Sequence, residues 1–187
     1  MHDLPSRYVT LVLGGVRSGK SRYAQQLAER SDRVTFVATA EARNDDEMRS
    51  KIQRHRNDRP AHWTTIEEPL DLGGALESAS SHCDLILVDC LTLFAANLLE
   101  EEADHNSKLE ARLGAFSAAL SSVSCSVVIV SNEVGSGIVP EYPLGRRYRD
   151  LVGEINQRIA AQSDNVLLMI AGLPLVLKGS LQPGFTS

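Results

Sequence analysis

Cysteine is scarce in this chain: three in 187 residues (Cys83, Cys90 and Cys125), with no two in a C-x-x-C pair. An odd number lying in or beside apolar stretches argues against a disulfide framework and for buried thiols in a reducing compartment. Positive charge is also in short supply. Nineteen Lys and Arg against 24 Asp and Glu leave a net charge of −5, without the basic field of a general nucleic-acid binder. Residues 1–7 lack the apolar core of a secretory signal. The longest apolar stretch, Val166–Leu177, is broken by Gly172 and Pro174 and is too short to cross a bilayer. No internal repeat, low-complexity tract or linker divides the chain. The expectation is one cytoplasmic domain over 1–187, without nucleic-acid partner or transmembrane segment, with 1–7 and 179–187 as terminal extensions. An apolar fraction of 43% supports a sizeable core.

What is present is dominated by one octapeptide, Gly14-Gly15-Val16-Arg17-Ser18-Gly19-Lys20-Ser21. It reads G-x-x-x-x-G-K-S and follows the apolar run Tyr8–Leu13, so a buried strand feeds a glycine-rich turn that opens a helix. Such a turn aims backbone N–H groups at phosphate oxygens, and the helix behind it adds the positive end of its dipole. Lys20 suits the β- and γ-phosphates of a nucleotide, and the Ser21 hydroxyl can ligate Mg²⁺.

Strand-like runs recur at 8–13, 33–38, 84–88, 126–131 and 166–170. Helical patterns lie between them at 20–30, 45–57, 70–81, 91–101, 107–122 and 146–161. Alternation of this kind predicts an α/β fold of the P-loop NTPase type, a mainly parallel sheet with helices on both faces. Ligands of such sheets sit beyond the carboxyl ends of the strands. Beyond the second strand stand Thr39, Ala40 and Glu41. Asp89 closes the third, suited to holding Mg²⁺ directly or through water, or else to capping the following helix. Asn132, Glu133 and the glycine-rich Gly135–Glu141 follow the fourth, as a substrate loop or a plain connection.

The predicted helix Asp45–Asn57 is the second informative segment. Its acidic start and basic end match the helix dipole, and Asn57-Asp58 with Pro60 marks its stop. Met48, Ile52 and His55 share one face. From Arg49 to Arg59 five basic residues face one acid, a concentration that suits a nearby polyanion. His55 then has three readings: a satisfied, part-buried imidazole, a general base, or a nucleophile toward phosphorus. His62, on the apparent strand 62–66, competes with it. Spacing alone does not separate these.

Three blocks give the chain a resemblance that does. The first is Gly14 to Arg22, with arginine inside the loop. The second runs from Asp45-Asp46-Glu47-Met48 through Ile52-Gln53-Arg54-His55-Arg56 to Arg59-Pro60, Trp63-Thr64-Thr65 and Glu67. The third is Ser131-Asn132-Glu133-Val134-Gly135-Ser136-Gly137-Ile138-Val139-Pro140-Glu141, continuing to Arg149-Asp150, Gly153 and Asn156-Gln157. From about Tyr8 to Lys178 the chain resembles the bifunctional adenosylcobinamide kinase/adenosylcobinamide-phosphate guanylyltransferase family of cobalamin biosynthesis.

The resemblance implies that adenosylcobinamide is phosphorylated by ATP or GTP. GMP then passes from GTP to the product through a guanylyl-histidine. It puts His55 at the guanylylated position, with Lys20 as its catalytic companion. It assigns nucleotide binding to Gly14–Ser21, to Ala38, Thr39 and Ala40, to Arg56, Asn57, Asp58 and Arg59, and to Glu67 and Asp89. Mg²⁺ falls to Ser21 and Asp89, and a homo-oligomer, trimeric in the best-known relative, is implied. Two rivals stand beside this reading. One is a small-molecule kinase with a structural His55. The other is a GTPase switch, disfavoured because no N-K-x-D guanine motif is present and Asp89-Cys90-Leu91-Thr92 is not D-x-x-G.

Overall fold

The computed structural model describes residues 7–40, 60–104 and 108–181, and the expected helix over 45–57 lies outside them. Seven strands and five helices are described: β1 (Val9–Gly14), α1 (Lys20–Ala28), β2 (Val34–Ala38), β3 (Thr64–Glu67), α2 (Leu72–Ser80), β4 (Leu85–Asp89), α3 (Leu91–Asp104), α4 (Lys108–Ser122), β5 (Ser126–Val130), α5 (Pro143–Gln162), β6 (Asn165–Ile170) and β7 (Leu173–Lys178). The sheet order is β3-β2-β4-β5-β1-β6-β7. All pairings are parallel except β6–β7.

Alternation along the five inner strands sends side chains to two cores. On one face Ile86, Val88, Leu11 and Ile129 pack with α2–α5 through Leu76, Phe94, Phe116 and Ile155. On the other, Leu85, Leu87, Val12 and Val128 pack with α1 through Tyr23, Ala24 and Leu27. Because both faces are buried, the strands read as continuous apolar runs. Phe94 and Phe116 meet edge to face, ring centres 6.0 Å apart, which ties α3 to α4 beyond simple area burial.

The expected parallel core is present, with strand bounds within about one residue of those read from periodicity. Two features differ. The strand expected over 166–170 is followed by a second one that was not expected: Ala171 and Gly172, with φ of 53° and 84°, turn the chain into an antiparallel hairpin. Two consecutive positive φ values are the signature of a tight type I′ connection, but Ala-Gly lacks the Asn-Gly or Asp-Gly that announces one. The strand expected over 62–66 begins at Thr64, leaving His62 exposed in a turn. Helix α5 starts at Pro143, three residues before its periodic face, because proline is well accepted in a first helical turn.

Candidate functional site

The order β4-β5-β1 sets the site. Gly14 ends β1 and Asp89 ends β4, with β5 between them. Two strand spacings place these ends about 10 Å apart. The glycine turn leads into α1, whose N-cap, Gly19, is left-handed at φ 94°. No side chain caps this helix and no acidic residue occupies its first turn. Its leading N–H groups therefore suit an anion.

Lys20 begins α1, and its ammonium donates to the Gly15 carbonyl at 3.0 Å, folding back over the loop. Burial holds its pKa below the usual lysine range, and the charge of Asp89 pulls it part of the way back. Lys20 thus belongs electrostatically to the end of β4 as well as to its own loop. Ser21 follows, part-buried.

Thr39 and Ala40 follow β2, next to β4. The Thr39 hydroxyl is committed: it donates to the Cys90 carbonyl at 2.7 Å and accepts from the Cys90 amide at 2.8 Å. The Thr39 amide donates to the Asp89 carbonyl at 3.3 Å. Thr39 therefore splices the ends of β2 and β4 together. Ala38 ends β2 in register with both Asp89 and Glu67. Glu67 is exposed at the end of the edge strand β3, three positions across the sheet from β5.

A polar scaffold beneath the strand ends was not legible as such in the sequence. The buried Asn97 donates to the carbonyls of Thr39 and Pro69 at 2.9 and 3.1 Å. Asn132 donates to the Thr92 hydroxyl at 3.0 Å, and Asn156 to the Asn132 carbonyl at 3.0 Å. Tyr148 donates to the Thr92 carbonyl. Cys90, whose sulfur is 2.9 Å from the Thr92 hydroxyl, is pushed up by burial to about 11, so its thiol is neutral and unreactive at pH 7. An asparagine on an otherwise apolar helix face, as at 97, is the sequence signal that could have pointed to this layer.

Whether these residues suit Mg²⁺ depends on their donor chemistry. A serine hydroxyl and a carboxylate are hard oxygen donors, and no group of three His, Cys, Asp or Glu able to hold a metal occurs among the described residues. Mg²⁺ needs no such cage, since it commonly takes one or two protein oxygens and completes its shell from phosphates and water. Ser21 and Asp89 fit that pattern. His55, Arg56, Asn57, Asp58 and Arg59 lie outside the described residues.

The sequence pattern of the family described as cobinamide kinase / cobinamide phosphate guanyltransferase matches residues 10–177. The chain belongs to this family. Its similarity extends over whole chains. It is 45% identical over 170 residues to the bifunctional adenosylcobalamin biosynthesis protein CobP of Pseudomonas aeruginosa, covering 90% of this chain and 96% of the relative. It is 37% identical over 179 residues to the bifunctional adenosylcobalamin biosynthesis protein CobU of Escherichia coli, covering 90% and 98%. Among solved structures, a RadB recombinase superposes with a TM-score of 0.56 at 16% identity, covering 96% of this chain and 84% of that one. That likeness concerns the fold alone, the P-loop NTPase sheet. As a cobinamide kinase / guanyltransferase, the chain is an enzyme with a nucleotide-binding fold, and no described helix is long and apolar enough to cross a membrane.

Proposed function

We propose that this chain carries out both of its family's reactions at the nucleotide site around Gly14–Ser21: phosphorylation of adenosylcobinamide by ATP or GTP, then guanylyl transfer through His55. The observation that supports the proposal is the placement of Lys20, at the start of an uncapped helix and folded onto the Gly15 carbonyl, at the same sheet edge as Asp89, two strand positions away. In the first reaction the substrate hydroxyl attacks the γ-phosphorus and the nucleoside diphosphate leaves. Lys20 and the loop N–H groups stabilise the charge on the transferring phosphoryl. Ser21 and Asp89 would hold Mg²⁺, which when bound neutralises charge on the phosphates.

In the second reaction a neutral His55 nitrogen attacks the α-phosphorus of GTP, and the α–β phosphoanhydride bond breaks to release pyrophosphate. The phosphate of adenosylcobinamide-phosphate then attacks the same phosphorus, and the P–N bond breaks to return the histidine and give adenosylcobinamide-GDP. Histidine suits this role because its nitrogen is nucleophilic near neutral pH and its phosphoramidate stays reactive. Ala38, Thr39, Ala40, Arg56, Asn57, Asp58, Arg59 and Glu67 complete the nucleotide site in this reading. It also includes a single domain, a cytoplasmic location and a homo-oligomer. The last is supported by the exposed Leu173, Leu175 and Leu177 on the edge strand β7.

The test is incubation of the purified protein with GTP labelled on its α-phosphate and no corrinoid. Retained label, stable to base and lost in acid, supports the histidine intermediate. An unlabelled protein that still phosphorylates adenosylcobinamide reduces the chain to a kinase.

A further inference from the structure

Glu133 stands against the phosphate loop. Its amide N–H donates to the Gly14 carbonyl at 3.2 Å, so its backbone follows β5 out of the sheet alongside the first glycine of the loop. Strand β5 lies between β1 and β4, which puts this residue at the carboxyl edge between the Lys20 loop and Asp89. Its side chain is exposed, and one carboxylate oxygen accepts from the Gly135 amide at 2.7 Å. That single bond orients the carboxylate and leaves most of its roughly four lone-pair sites open.

Among the described residues, the other carboxylates of this edge are less suited to deprotonating a substrate. Asp89 is part-buried and already coupled to Lys20. Glu68 is occupied, accepting from the amides of Leu70 and Asp71 at 2.9 and 2.8 Å. Glu67 ends β3, four strand spacings or about 19 Å from β1. Glu133 is one spacing away, about 5 Å.

We propose that Glu133 is the general base of the kinase reaction, an inference that rests on the cobinamide kinase reading above. As the substrate's alcohol oxygen bonds to the γ-phosphorus, its proton passes to the Glu133 carboxylate. The bond to the β-phosphate oxygen breaks, and the nucleoside diphosphate leaves with the electron pair. The carboxylic acid then returns its proton to water. Guanylyl transfer makes no such demand, because its acceptor is a phosphate already ionised at neutral pH. Glu133 therefore separates the two reactions.

Glu133→Gln tests this. The amide oxygen can still accept from the Gly135 N–H, which preserves the loop, but it cannot take up a proton. Phosphorylation of cobinamide and guanylyl transfer from GTP to cobinamide phosphate are measured on the same preparation. The kinase kcat is expected to fall about 10²–10⁴-fold, with the nucleotide KM within about threefold, and the kinase-to-transfer ratio should drop at least about 100-fold. Glu133→Ala should recover part of its kinase turnover when formate is supplied. The proposal is overturned if Glu133→Gln keeps its kinase kcat within about threefold, or if both reactions fall together. A wild-type protein inert toward cobinamide would instead overturn the kinase reading beneath it.

Discussion

Gly172 braces Gly19. The amide of Gly172, in the β6–β7 turn, donates to the Ser18 carbonyl at 2.9 Å. A Cβ on Gly19 would lie 3.2 Å from the Gly172 Cα. The Gly14–Ser21 turn is thus held from behind by the β6–β7 hairpin. Both glycines have positive φ, 94° and 84°, and their closeness depends on Gly19 carrying no side chain.

Gly172→Ala tests the brace. Space for a methyl is adequate, since the nearest atom is an Arg22 nitrogen at 3.7 Å. The cost is therefore the left-handed backbone, about 1–2 kcal/mol, or about 2–8 °C in Tm. Gly19→Ala adds a tight backbone contact to the same strain and should also weaken GTP binding at least about tenfold, or 1.4 kcal/mol. Calorimetry with GTP and thermal melts read both. Unchanged values in both variants would refute the brace.

The chemistry is separated by two substitutions. His55→Ala should abolish the GMP adduct and guanylyl transfer while leaving most of the kinase turnover. Lys20→Ala should lose both, each by about 10²-fold or more, because both need the triphosphate clasped. A His55→Ala protein that still accumulates α-label would place the nucleophile elsewhere.

Two helix glycines should respond in opposite directions. A Cβ at Gly73, in α2, would come 2.9 Å from the Ala115 carbonyl carbon of α4, so the helices must part. Overpacking of this kind costs about 1–3 kcal/mol and outweighs the helix-propensity gain. Gly114, on the exposed side of α4, has nothing within 4 Å of its added Cβ. Gly114→Ala should therefore stabilise by up to about 1 kcal/mol. Urea melts that fail to give opposite signs would argue against the α2–α4 contact.

Acid should loosen the α3–α4 pair. Arg112 donates twice to Glu101, at 2.7 and 2.8 Å, and Lys108 lies 3.5 Å from the same carboxylate. The Arg112 hydrogen bonds hold the Glu101 carboxyl below its usual range. A depressed folded pKa means that the stabilisation is complete above the unfolded value, about 4.3, and is lost as pH falls through the folded one. Glu101→Gln should cost about 0.5–1 kcal/mol at pH 7. The difference from wild type should shrink steadily below about pH 4. A pH-independent gap would mean that the charge is not its source.

The sequence by itself determined the local chemistry. Gly14–Ser21 announced a glycine-rich turn between a strand and a helix, because its residues act through their spacing along the chain. Leu85–Val88 announced a strand buried on both faces, and Asp89 its polar end. Periodicity found α1 to α5 because each buries a continuous stripe. The tertiary structure decided what touches across the sheet. Which strand separates Asp89 from Gly14 is a matter of order, and strand order leaves no periodic mark. The Ala171-Gly172 turn lacked its usual residues because the surrounding strands, not local propensity, impose its two positive φ values. The commitment of the Thr39 hydroxyl to Cys90, the reach of Asn97 to two carbonyls and the contact of Glu133 with Gly14 are meetings of distant segments. Each is satisfied only once the sheet has formed.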